Sequence, residues 1–280
     1  MQGKKSTIIL LMGFFIGLSV LLYPSISNYW NSKTQTQAIV DYEGMLARIK
    51  AEDYTGLFQA ADEYNTKLAA LKNPMLEYET LEGYNDVLNI SGNGMMGYIT
   101  VPKINQELPV YHGTGDDVLA VAAGHFEGTS LPVGGINTHS VVSAHRGLPT
   151  AVLFTYLDRM EIGDTFYFKI LDREITYEVD QIRIVKPNDL SLIEIEEGGD
   201  YCTLLTCTPY GINTHRMLVR GTRIENIEPE KVINVITEAY QIDPLIVTPA
   251  VAAPMLGLLL IGLLVKSKNT GKKKKAKKNK

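Results

Sequence analysis

The stretch "YCTLLTCTPYGINTHRMLVRGTRI" (Tyr201–Ile224) contains two β-rich runs separated by a turn-rich segment, and it indicates the fold. The first run, "YCTLLTC", ends at Cys207, and the second, "RMLVRGTRI", begins at Arg216. The eight residues between them, Thr208–His215, include a proline, a glycine and an asparagine, which favour a loop between antiparallel neighbours. The pattern therefore predicts that Cys207 and Arg216 lie side by side at one end of a β-sheet.

The chain has two cysteines, Cys202 and Cys207, and both fall in the first of these runs. Residues five apart on a strand point to opposite faces, so a disulfide between them is not expected. A guanidinium beside Cys207 would favour the thiolate and could hold a developing oxyanion. A lone cysteine on a strand is otherwise a small buried apolar residue, and the residues alone leave that alternative open.

Two histidines are candidates for the proton carrier that cysteine chemistry needs. His145 ends the β-rich run "SVVSAH" and precedes the turn-forming "RGLP", a position suited to general acid–base work. His215 is nearer to Cys207 in sequence but falls in the predicted loop and is the weaker candidate. The five histidines show no metal-ligand spacing, so no metal and no cofactor are predicted.

Short β-rich runs bounded by turn residues fill the chain from Met96 onward and predict a mainly β domain over residues 96–228. Such a series of strands with few helices favours a closed barrel or a sandwich, and "LDRE" at Leu171–Glu174 predicts a tight hairpin. Residues 26–95 form a predicted helical region. Its helical pattern covers Thr34–Leu71, with Asp53 as N-cap and Asn73-Pro74 as the stop.

Two uncharged apolar segments flank the middle of the chain and predict transmembrane spans over residues 6–25 and 245–265. The rival interpretation of the first is a cleaved signal peptide. Residues 229–244 between domain and second span are predicted as a short helix and linker. Lysines lie on the outer side of both spans, in residues 1–5 and 266–280, which predicts cytoplasmic termini, an exported middle and a membrane location. Without the 11 terminal lysines, 16 basic residues face 31 acidic ones, a balance that excludes nucleic acid as a partner.

Longer motifs resemble those of the class C, pilin-polymerising sortases of Gram-positive bacteria. "TLLTC" followed by Arg216 looks like the sortase nucleophile strand and arginine, and "SVVSAHRGLPTAVLF" looks like the histidine strand and loop. "MGYITVPKI" and "GHFEGTSLPVGGINTH" extend the likeness, which covers roughly Asn73–Ile224. The resemblance implies a closed sortase-type β-barrel with N-terminal helices, with the family's nucleophile on Cys207, its acid–base on His145 and its stabilising arginine on Arg216.

The resemblance also implies an activity. Cys207 would cleave an LPxTG-like sorting signal of a pilin, and a lysine of another pilin would take the acyl group, which builds a pilus. Two enzymatic alternatives stay open: attachment of surface proteins to the cell wall, and simple peptide hydrolysis. A non-enzymatic alternative, a wall-anchored substrate, is not favoured because no LPxTG-like motif precedes Leu245.

One departure concerns the lid that covers the empty site in class C sortases. The family pattern there is Asp-Pro-aromatic, whereas this chain has Asn73-Pro74-Met75 within a lid segment at about residues 72–77. Asparagine cannot form an ion pair with the site arginine, and methionine offers a flexible thioether instead of a ring. We therefore expect a weakened lid. The alternative is that Asn73-Pro74 only stops a helix.

Overall fold

The computed structural model describes residues 2–226, 252–258, 260–262 and 265. The chain divides into two units, one formed by residues 1–30 and 235–280 and the other by residues 31–234. The predicted helix over residues 229–242 lies outside the described residues. Of the predicted second span, residues 252–258, 260–262 and 265 are helical, and the rest of that span also lies outside the description.

Helix α1 (Gln2–Leu46) begins in the first unit, and its residues from Asn31 onward belong to the second. It is the one helix in the described part of the chain that is long and apolar enough to cross a membrane. Several apolar side chains in its first part are exposed, for example Ile9, Phe15 and Ile16 at 60–66%, while others such as Leu10 and Leu11 are partly exposed. Pro24 lies inside the helix, which continues beyond the predicted span.

In the second unit, helix α2 (Ala51–Ala69) follows a break after α1, so the predicted pattern over Thr34–Leu71 forms two helices. The predicted N-cap is wrong. Lys50 is the N-cap, and the Asp53 N–H already donates to the Lys50 carbonyl within the first turn, at 2.9 Å. The predicted stop is also wrong, because α2 ends before Asn73, and Asn73 is instead the N-cap of a short helix, α3 (Pro74–Glu77). Proline suits the first helical position, where its missing N–H is not needed.

Eight strands form the barrel of this unit. They are β1 (Met95–Val101), β2 (Gln106–His112), β3 (Ala123–His125), β4 (Thr138–Ser143), β5 (Thr165–Ile170), β6 (Arg173–Val185), β7 (Asp200–Thr208) and β8 (His215–Arg223). The sheet closes in the order β1-β2-β3-β4-β7-β8-β6-β5, which confirms the predicted closed barrel. The predicted hairpin is also confirmed: Leu171 and Asp172 alone separate β5 from β6. A short helix, α4 (Asp116–Leu119), precedes β3.

The alternation of buried side chains along the strands fills the barrel. On β5, Phe166, Phe168 and Ile170 are fully buried while the residues between them are partly exposed. Strand β4 is buried along its whole length, because both of its faces are covered. Helix α2 adds Phe58 and Leu68 to the same core.

Candidate active site

Cys207 and Arg216 occupy directly opposite positions on β7 and β8, so the predicted juxtaposition is confirmed. Strands β7 and β8 are antiparallel, and directly opposite residues of such a pair lie on the same face. The connecting loop is Pro209–Thr214, shorter than the eight residues expected, because Thr208 and His215 still pair in the sheet.

The two cysteines face opposite sides of β7 and neither forms a disulfide. Cys202 is fully buried in the barrel, and this burial raises the pKa of its thiol well above the usual range. Cys207 is only partly buried. Of the two thiols, Cys207 is therefore the one that solvent and a substrate can reach.

The end of β4 brings His145 to the same edge of the sheet. Strands β4 and β7 pair in parallel as far as Ser143 and Leu205. One residue later, the Ala144 N–H donates to the Leu205 carbonyl at 3.2 Å, and the Thr206 hydroxyl donates to the Ala144 carbonyl at 2.8 Å. This register places His145 next to Cys207, and both residues are partly exposed.

Arg216 and His215 lie next to each other on β8 but have different partners and orientations. The Arg216 guanidinium donates to the carbonyls of Asn213 (3.3 Å) and His215 (3.1 Å), and none of the ion pairs between described residues involves it. His215 follows the alternation of β8 and points to the face opposite Arg216. Its Nδ1 lies 3.0 Å from the Thr214 hydroxyl.

The predicted lid segment packs on the face of the sheet that holds Cys207. Val141 and Leu205 on β4 and β7 share that face with Leu218 on β8, and Met75 packs against the cluster they form with Ile193. Met75 thus belongs to the apolar layer next to the thiol, whereas the Asn73 side chain is exposed. No hydrogen bond between the side chains of Asn73 and Arg216 occurs within residues 2–226.

Gly128 shows how closely the lid segment approaches the barrel. A Cβ added at Gly128 would lie 3.0 Å from the Tyr78 ring and 3.2 Å from the Met75 Cα. The residue also has a φ of +82°, which side chains disfavour. A cavity of about 610 Å³ lies beside this contact, between residues 71–75 and Ile193, Glu194, Ile195 and Glu197 of the β6–β7 loop.

Two polar residues hold the β6–β7 loop above this face, and the sequence analysis missed both. His139 is fully buried; its Nδ1 lies 2.8 Å from the Glu194 carbonyl and its Nε2 lies 2.8 Å from the Thr203 hydroxyl. Burial lowers the pKa of His139 and so favours the neutral ring. Arg220 forms ion pairs with Asp180 (2.8 Å) and with Glu196 of the loop (3.1 Å).

A closed eight-stranded barrel with a cysteine, an arginine and a histidine at one edge of the sheet defines a class of cysteine enzyme. The sortase domain family matches residues 99–224 of this chain. The chain belongs to the sortase family.

Solved structures and one curated relative extend this finding. Sortase C from Streptococcus pneumoniae is 43% identical, with a TM-score of 0.62, over 69% of this chain and 99% of that one. Clostridium perfringens sortase C, solved with the C-terminal cell wall sorting motif, is 42% identical, with a TM-score of 0.59, over 68% and 100%. Sortase D of Bacillus subtilis is 31% identical over 131 residues, which are 46% of this chain and 63% of the relative's length.

Proposed function

We propose that this chain is a cysteine transpeptidase that polymerises pilins. The observation that supports the proposal most strongly is the juxtaposition of Cys207 with Arg216 across β7 and β8, with His145 at the end of the neighbouring strand β4. A nucleophile, a proton carrier and a fixed cation at one exposed edge are the groups that acyl transfer requires.

The first half of the reaction forms an acyl-enzyme. The Cys207 sulfur attacks the carbonyl carbon between Thr and Gly of an LPxTG-like sorting signal, and the oxygen becomes an oxyanion. Arg216, which has no carboxylate partner among the described residues, stabilises that charge. His145 protonates the departing glycine amine, the C–N bond breaks, and a thioester remains on Cys207.

The second half transfers the acyl group to a lysine of another pilin. The lysine amine attacks the thioester carbonyl, the C–S bond breaks, and an isopeptide bond forms. His145 takes the proton that the amine loses, which replaces the one it gave to the departing glycine amine, and the site returns to its starting state. No cofactor and no metal take part in these steps.

Two relatives support this choice of substrate. The structure of the S. pneumoniae sortase C bears on its pilin substrate specificity, and the structure of the C. perfringens sortase C includes the C-terminal cell wall sorting motif. By likeness to them, the substrate of this chain is a pilin with such a motif. Attachment of proteins to the cell wall and simple hydrolysis are the alternatives that the experiment below distinguishes.

The proposed arrangement places the enzyme at the cell surface. Helix α1 anchors the chain, and its uncharged, exposed apolar portion suits a bilayer. Residues 1–5 and 266–280 lie in the cytoplasm because of their lysines, residues 245–265 form the second span, and residues 96–228 form the catalytic domain outside.

The lid proposal depends on the packing of Met75. Residues 72–77 cover the face of the sheet that holds Cys207. They are held there by the apolar contact of Met75 with the cluster that contains Leu205 and Leu218, and by the close approach to Gly128. Asn73 contributes no ion pair, because an amide carries no charge. A lid held by apolar contact alone opens more readily than one that also holds the site arginine by an ion pair.

Product analysis tests the function. The full chain in detergent is incubated with a purified pilin that ends in an LPxTG-like signal, and the products are separated by denaturing electrophoresis. We expect a ladder of covalent multimers joined by Thr–Lys isopeptide bonds, and no ladder with Cys207→Ala. Shortened monomers alone would indicate hydrolysis, and products that form only with a cell-wall peptide amine would indicate wall attachment.

A further inference from the structure

Arg146 lies directly after His145, and its side chain points away from the face of the sheet that holds Cys207. Because side chains alternate along the chain as it leaves β4, Ala144 and Arg146 point to one side and His145 to the other. The Arg146 side chain is 8% exposed, although its guanidinium is charged. A charge this well buried needs partners.

The partners of Arg146 connect three segments. Its Nη1 donates to the Thr208 hydroxyl at 3.2 Å, and its Nη2 forms an ion pair with Asp158, which lies on the short 3₁₀ helix Leu157–Arg159. Thr208 directly follows Cys207. A single guanidinium therefore connects the residue after the histidine to the residue after the cysteine, and it is itself held by a carboxylate.

With this contact, hydrogen bonds join the two strands both before and after the two reactive residues. Before them, the Ala144 N–H and carbonyl bond to β7 at Leu205 and Thr206. The β4–β7 ladder itself ends at Ser143 and Leu205. After His145 and Cys207, the hydrogen bond from Arg146 to Thr208 joins the two segments again. The chain is therefore held on both sides of His145 and Cys207.

We propose that Arg146 is a positioning residue that sets the distance between His145 and Cys207 through Thr208. The proposal rests on the roles assigned above to Cys207 and His145, and it adds a residue that does not touch the substrate. Misplacing a reacting group by about 1 Å can cost about 10²-fold in rate, so a cross-link next to the pair controls turnover more than binding. Arginine suits the position because its planar fork reaches two partners at once, which a lysine ammonium does not reproduce.

The test measures kcat and KM of the full chain in detergent with a synthetic peptide that contains Leu-Pro-Glu-Thr-Gly. We expect Arg146→Ala and Arg146→Lys to lower kcat by about 10- to 100-fold with KM unchanged. Arg159→Ala is the matched control, since Arg159 is exposed and lies over the Tyr156 ring, 3.8 Å from its centroid; it should keep the wild-type kcat.

A second pair of variants keeps the test decisive if Arg146→Ala does not fold. Thr208→Val removes the hydroxyl at nearly constant volume and should lower kcat about tenfold, whereas Thr208→Ser keeps the hydroxyl and should restore it. Combining Thr208→Val with Arg146→Ala should cost no more than Arg146→Ala alone, because both remove the same bond.

Two results would overturn the inference. One is a wild-type kcat for Thr208→Val. The other is a loss of kcat in the Arg146 variants that is fully explained by a smaller fraction of folded protein. Either result is distinct from failure of the proposed function, in which the wild-type chain itself would not cleave the peptide.

Discussion

Acid sensitivity of the barrel tests the structural account of its buried histidines, and His125 offers the largest effect. His125 is fully buried; its Nε2 lies 2.8 Å from the Ser130 carbonyl and its Nδ1 lies 2.9 Å from the Tyr84 hydroxyl. A neutral ring satisfies both contacts if Nε2 carries the proton and Nδ1 accepts from Tyr84. Burial lowers the pKa of His125 from 6.5 to about 4.

The sign and size of the effect follow from proton linkage. Between pH 6.5 and 4 the unfolded chain binds a proton at His125 that the folded chain excludes, so stability falls as the pH falls. At 1.36 kcal/mol per pKa unit, the shift corresponds to a loss of about 3 kcal/mol in the free energy of unfolding. The loss is absent above pH 6.5 and complete once the pH drops below about 4.

Urea unfolding of the full chain in detergent, followed by circular dichroism at about pH 7.5 and about pH 4, measures this loss. His125→Gln can keep both hydrogen bonds without titrating, so its free energy of unfolding should fall by about 3 kcal/mol less than that of the wild type. If His125→Gln and the wild type lose the same stability on acidification, the reasoning is refuted.

Three further predictions concern the site. Arg216→Lys should lower transpeptidation by about 10²-fold, because a point charge does not replace a planar fork, while Arg48→Lys, at an exposed arginine between α1 and α2, should have no effect; equal losses would leave Arg216 without a special role. Cys202→Ala should keep most activity, since Cys202 is enclosed in the barrel; an inactive but folded variant would contradict the assignment of the nucleophile. Deletion of residues 72–77 should speed alkylation of the reactive thiol by iodoacetamide, whereas an unchanged rate would mean that this segment does not cover the thiol.

The pairing of Cys207 with Arg216 could be predicted because it is local. A short loop between two β-rich runs forces antiparallel neighbours, and once the strands are neighbours the register follows from loop length to within a residue. The two-residue turn at Leu171-Asp172 could be predicted for the same reason. The position of His145 required the parallel pairing of β4 with β7, which the residues suggested only through resemblance.

Contacts between residues far apart in sequence could not be predicted in this way. His139 holds the Glu194 carbonyl 55 residues away, and Arg146 reaches Thr208 62 residues away. One signal was available: His139 is six residues before His145 and so shares its face of the strand. A second histidine on that face could have indicated a polar support beneath a loop.

The errors at helix ends have a physical cause. Asp53 is a good N-cap residue, but the helix gains a turn before it at Lys50 without any side-chain cap. Asn73-Pro74 follows α2 without ending it, and proline serves equally well to begin α3. Capping preferences favour a boundary by about 1 kcal/mol, and tertiary packing can outweigh this.

The most direct test of the account is the site of the acyl-enzyme. The full chain is mixed with the Leu-Pro-Glu-Thr-Gly peptide, quenched in acid and analysed by mass spectrometry, with fragment-ion sequencing to separate the two nearby cysteines. The account predicts a thioester-linked Leu-Pro-Glu-Thr fragment on Cys207 that hydroxylamine releases, and none on Cys202. Cleavage of the peptide without an adduct on Cys207, or an adduct on Cys202, would contradict it.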